Sequence, residues 1–169
     1  MNKPIVFSLI GLLLSLIFGD AAHAADLKIG FVDAERINRE SAPAERATKK
    51  LEKEFAPREQ DLRKMEQQIK NIQGQLEKDG LTMSESDRRT KEQELGRQTR
   101  EFQRLQREFR EDLNLRRNEE LSALFERANK VIKQIAETEK YDLIIQEAVY
   151  RSTRIDITEK VIKALAADK

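Results

Sequence analysis

The sequence predicts an α+β chain: a small β-sheet body carrying one long antiparallel α-helical coiled-coil hairpin. Three observations carry this reading. Between about Ser41 and Glu139 the chain is dense in Glu, Lys, Arg, Gln and Leu, all good helix formers. Its sparse apolar residues fall at steps of three and four, the 3.5-residue period of a narrow coiled-coil seam. One turn, Asp79-Gly80-Leu81-Thr82-Met83-Ser84, divides that stretch, and short β-branched segments flank it on both sides.

At the start, Met1-Asn2-Lys3 is followed by an apolar run from Ile5 to Phe18 and by Ala22-His23-Ala24. A positive lead, a run shorter than the roughly 20 residues of a membrane span, and a small-x-small site describe an export signal cut after Ala24. A short retained anchor is the competing reading. The expected mature chain begins at Ala25 and lies outside the cytoplasm, as an envelope or secreted protein.

Export removes His23, the only histidine, and the chain has no cysteine. The mature protein then lacks the commonest general base and a thiol nucleophile. It lacks His and Cys zinc ligands as well. No glycine-rich phosphate loop occurs, so neither an enzyme nor a cofactor is expected. With 32 basic and 31 acidic residues the net charge is +1, poor support for a nucleic-acid partner. Arg97 to Arg117 holds a local excess, seven arginines against four acidic residues. It reads either as a solvated flank with i, i+4 pairs such as Arg104–Glu108, or as a collar for weak contact with a membrane or anionic lipid.

The elements follow in order. Leu27, Ile29 and Phe31 alternate on one face of a short strand. Asp33 caps a brief helix, and Ser41 with Pro43 opens the long one. The descending seam is Leu51, Phe55, Leu62, Met65, Ile69, Ile72 and Leu76. Pro57 interrupts it, where the ring removes one backbone hydrogen bond. Either two helices abut at Phe55, or Pro57 is a hinge at which the arm leaves its body. Gly80 is expected to stop the helix in a left-handed conformation. Ser84 with Asp87, or Thr82 with Glu85, restarts it. The returning seam is Leu95, Phe102, Leu105, Phe109 and Leu113, then, after a phase slip near Leu113, Leu121, Phe125, Ala128, Ile132 and Ile135. Tyr141 to Gln146 reads as a second strand, with Ala148 to Arg151 as its partner. Asp156 to Glu159 caps a last helix whose inner side is Val161, Ile162 and Leu165.

A hairpin brings its feet together, so strands on either side of it can share one sheet. Such a base is a marginal core alone, and its exposed edges invite a second copy. A homo-oligomer is expected, with residues 25–42 and 139–169 as body and 43–138 as an arm whose tip lies near 79–84.

The order of elements resembles the Skp (OmpH-like) family of periplasmic chaperones. The residues that carry the resemblance are Ile29-Gly30-Phe31-Val32-Asp33, Leu51-Glu52-Lys53-Glu54-Phe55, Tyr141-Asp142-Leu143-Ile144-Ile145 and Asp156-Ile157-Thr158. The resemblance implies a homotrimer with a shared barrel body and three helical tentacles around a cavity. It implies ATP-independent holding of unfolded outer-membrane proteins. Ile29, Phe31, Leu143 and Ile145 match the body strands and so the oligomer interface, and Pro57 matches the bend of the arm. One departure is charge. Lys70 to Arg97 holds six basic and six acidic residues, where the family's tips are basic. Met65, Ile69, Ile72, Leu76, Leu81 and Met83 are the candidate client contacts. For Ile69 and Ile72 ordinary seam packing is the stronger reading, whereas Leu81 and Met83 lie in the turn itself. A passive envelope spacer is the alternative function.

Overall fold

The computed structural model describes residues 26–167. The expected signal, residues 1–24 with its cut after Ala24, lies outside the described residues. In chain order the elements are β1 (Ile29–Phe31), α1 (Ala34–Glu40), α2 (Ala42–Asp79), α3 (Glu85–Glu139), β2 (Leu143–Ile145) and α4 (Thr158–Ala167).

Local polar chemistry sets the helix boundaries. The Asp33 carboxylate accepts from the Arg36 N–H at 3.0 Å and opens α1. Ser41 closes α1 and opens α2: its N–H donates to the Ile37 carbonyl, and its hydroxyl accepts from the Ala44 N–H. Pro43 sits in the first turn of α2, where its missing N–H has no intrahelical partner to lose. At the far end Ser84 opens α3. Its hydroxyl accepts from the Asp87 N–H at 3.1 Å and donates to the Asp87 carboxylate at 2.7 Å. Thr82 is not the restart; its hydroxyl and N–H both donate back to the Asp79 carbonyl.

Gly80 corrects one expectation. Its backbone is right-handed, φ −59° and ψ −30°, rather than left-handed. A Cβ there would run into the Leu76 carbonyl, so close approach rather than a positive φ makes this a glycine position. Pro57 resolves another. α2 is one 38-residue helix that runs through Pro57, and no second helix abuts at Phe55.

At 1.5 Å per residue α2 is about 57 Å long. It packs antiparallel on the 55-residue α3. The pairs Lys50–Glu120, Glu54–Arg116, Phe55–Phe109, Arg58–Asp112 and Gln75–Lys91 fix the register, numbers rising on α2 as they fall on α3. Beyond the phase slip the buried side of α3 is Leu124, Ala128 and Val131, with Leu121, Phe125, Ile132 and Ile135 only partly covered. The expected stripe is therefore rotated. The cause is packing: this end of α3 meets α1, α2 and α4 together, and a face covered by three helices is wider than a two-helix seam. Leu124, Ala128 and Val131 join Val32, Ile37, Ala44, Ile157, Val161 and Leu165 in one core.

β1 and β2 pair in parallel, Ile29 opposite Leu143, Gly30 opposite Ile144 and Phe31 opposite Ile145. The other edge of β1 bonds residues 155–157: the Phe31 N–H donates to the Ile155 carbonyl and the Ile157 N–H to the Phe31 carbonyl. The expected partner strand Ala148–Arg151 does not form within the chain. Those residues have no regular structure, and Val149 and Tyr150 stand exposed. The outer edge of β2, the strand expected to take them, stays unpaired within the chain. Leu27, expected on the strand's covered face, is likewise exposed.

Candidate functional site

Three apolar surfaces lie along the hairpin and its foot. The first is the tip. Leu81 is fully exposed and Met83 half-buried, on a turn tied down by the Thr82 and Met83 N–H groups donating to the Asp79 carbonyl. The loop is therefore shaped even though its apolar side chain faces solvent.

The second surface is the seam. Ile69 and Ile72 are 8% and 9% exposed and closed between the helices, whereas Met65 and Leu76 are half-buried. Met65 lines a groove of about 150 Å³ with Leu62, Leu105, Phe109, Arg58 and Asp61. Of the six candidate contacts, then, Leu81 faces water, Met65, Leu76 and Met83 are partly accessible, and Ile69 and Ile72 are packed.

The third surface was not singled out from sequence. Where the arm leaves the body, a groove of about 620 Å³ runs along α2 and α3, lined chiefly by Ala47, Leu51, Phe55, Phe109, Leu113 and Leu121. Its signal was present in the phase slip near Leu113, since a break in the seam's period locally relaxes the supercoil. Pro57 sits beside it on the solvent side of α2. One residue away, Arg58 spans the joint between the helices. Its guanidinium lies 5.8 Å from the Phe55 and Phe109 ring centres and bonds Asp112 at 2.7 Å. The two rings meet edge to face at 5.6 Å, a favoured aromatic geometry.

Charged pairs line the same root. Arg116 binds Glu54, Glu119 and Glu120. Hydrogen bonds to Glu54 and then Glu119 hold its guanidinium above the usual range. The Lys50 ammonium, ahead of Arg116, holds the Glu120 carboxyl below its ordinary value. Arg116 and Glu120 are half-buried while Lys50, Glu54 and Glu119 are exposed, and solvent screening at the exposed partners keeps each pair's contribution small.

At the foot, the four expected interface residues form two register pairs, Ile29 with Leu143 and Phe31 with Ile145. Leu143 is exposed and Ile29 and Ile145 are half-buried. Phe31 is buried, with the Arg151 guanidinium 4.2 Å from its ring centre. Arg151 also reaches Asp156 and Asp33. It pins the irregular segment 146–154 over the first strand.

Comparison with known proteins agrees with this architecture. Residues 28–165 match the family model of outer membrane protein (OmpH-like). "Chaperone protein Skp" of Pectobacterium atrosepticum is 32% identical over 155 residues, which span 90% of this chain and 93% of that protein. "Chaperone protein Skp" of Yersinia enterocolitica is 30% identical over 152 residues, 89% and 93% of the two chains. The solved structure of an OmpH-like protein from Caulobacter crescentus CB15 superposes with a TM-score of 0.71, covering 85% of this chain and 86% of that one at 16% identity. The chain belongs to the OmpH-like family.

Proposed function

We propose that this chain is a periplasmic holdase: it keeps unfolded outer-membrane proteins from aggregating, without ATP, in a space bounded by helical arms. Chaperone action is the function of its "Chaperone protein Skp" relatives, and it favours holding over a passive spacer. The observation that carries the mechanism is a long arm with partly accessible apolar side chains along it and an exposed leucine at its tip. Unfolded strand-rich clients expose alternating apolar residues that would pair with one another. Weak contacts spread over such an arm hold them apart without imposing a structure.

One arm encloses nothing, so the reading includes a homotrimer. The open edge of β2 and the Ile29–Leu143 face supply the surface for it, and Val149 and Tyr150 add apolar area beside it. The division of labour is a body of 25–42 and 139–169 with the arm over 43–138, hinged at Pro57. Export by the N-terminal signal delivers the chain to its clients. The balanced tip keeps contact with membranes or anionic lipids weak.

The test is direct. An unfolded outer-membrane barrel protein is diluted into buffer with the purified mature chain, and turbidity is followed. Suppression at a near-stoichiometric ratio is expected. Undiminished turbidity beside a correctly assembled oligomer would refute holding.

A further inference from the structure

Two glycines, Gly74 and Gly96, lie inside the otherwise continuous helices of the arm, and packing calls for neither. A Cβ at Gly74 would meet nothing within 4 Å, and one at Gly96 would meet only the far end of the Arg100 side chain at 3.4 Å. No described glycine has a positive φ. Glycine in a helix interior is the least favourable residue after proline, and here no close approach compensates. The Gln75–Lys91 and Arg58–Asp112 pairs bracket them, so the two glycines lie within about one turn of the same level.

The seam ends at that level. On α3 the residues from Glu85 to Glu94 include no apolar side chain, the first being Leu95. On α2 only Leu76 remains beyond Gly74. The cross-helix ion pairs, Lys50–Glu120, Glu54–Arg116 and Arg58–Asp112, all lie on the body side. Among the described residues the distal segment keeps one polar tie between its helices, the Lys91 ammonium donating to Gln75 at 2.6 Å.

Gln98 adds an independent weakness one half-turn inward. Its Oε1 is buried with no donor, while its Nε2 donates to Glu94. Turning the amide over would set its oxygen against the Glu94 carboxylate, so rotation does not repair the site. An unmet acceptor in a seam favours opening, because water satisfies it only when the helices part.

We propose that the arm carries a distal joint at Gly74 and Gly96, about which residues 75–95 bend and open as a unit while the hairpin nearer the body stays closed. The joint is separate from Pro57, and its direct consequence is that Leu81 and Met83 are re-aimed without moving the arm. That use of the joint rests on the holding function. The joint itself does not, and the experiment below contains no client.

Hydrogen exchange on the assembled mature protein reads the joint. Amides of 75–95 should exchange faster than those of 60–72 and 98–112, with the step at the glycines. Gly74→Ala with Gly96→Ala should slow tip exchange up to about thirty-fold, the effect of two such changes in a helix, and leave the inner amides alone. Gln98→Leu should slow it independently. Asn114→Ala, a helix-favouring change on the body side, should leave the tip untouched. Uniform exchange along the arm would overturn the proposal. So would a tip slowed as much by Asn114→Ala as by the glycine pair, for the arm would then open as a whole.

Discussion

At the scale of residues, the molecule depends on a few side chains that repair what regular structure leaves undone. The long α3 ends in Lys140, whose backbone is left-handed at φ 57°, a conformation unfavourable for any residue with a Cβ. No basic residue stands in the last turn of α3. Lys28 arrives from before β1 instead, its ammonium donating to the Glu139 carbonyl at 2.7 Å and lying 4.2 Å from the Tyr141 ring centre. Lys160 of α4 binds the Glu139 carboxylate. We expect Lys140→Gly to stabilise the body by about 1 kcal/mol, read as a higher midpoint in urea. Asp156 is a second such residue. Burial pushes its carboxyl up, but the Thr158 hydroxyl and N–H and the Arg151 guanidinium outweigh this and hold it below its ordinary value. A carboxyl lowered in the folded state stabilises above its unfolded pKa and loses that contribution as pH falls. Stability should therefore decline below about pH 4, the ordinary Asp range, and Asp156→Asn should flatten part of that decline in acid titration followed by circular dichroism. Leu165, fully buried in α4, should cost about 2–5 kcal/mol as Leu165→Ala.

At the scale of elements, the arm's helices were legible because their boundaries rest on local chemistry. Asp33, Ser41 and Ser84 cap as their spacing predicts, since a cap is decided within one turn. Gly80 was legible as a stop but not in its conformation, because the Leu76 carbonyl that excludes a side chain there is a feature of the folded turn. Pro57 interrupts the hydrogen bonding of α2 without ending the helix, because the Phe55–Phe109 contact and Arg58–Asp112 hold both helices at that level. We expect Pro57→Ala to stabilise the helix by up to about 3 kcal/mol, read as a higher thermal midpoint of helix loss. Arg58→Ala should loosen the arm there, seen as faster exchange near Phe55. The tip is a separate case. Leu81→Ser with Met83→Ser should leave helicity unchanged, since neither lies in a helix, and weaken client retention several-fold. Unchanged suppression of aggregation would remove both from the site.

At the scale of the whole molecule, one chain presents a body with an open strand edge and an arm with apolar grooves along it. Light scattering of the mature protein should return the mass of a trimer. Leu143→Asp should lower it, since a charge on the exposed strand opposes burial against another copy. By itself the sequence determined the rods, their one turn, their caps and their narrow seam, because periodicity and capping act over a few residues and leave marks at fixed spacing. The resemblance in Ile29–Asp33, Leu51–Phe55 and Tyr141–Ile145 pointed to the family that the comparisons then showed. Only the tertiary structure decided that β1 and β2 pair in parallel across the whole arm, that Ala148–Arg151 finds no strand within the chain, and that α3 turns Leu124 and Val131 inward. It also opened the groove at Leu51, Phe55 and Leu113. Each of these depends on which surfaces meet over separations of many tens of residues, and local spacing carries no record of that encounter.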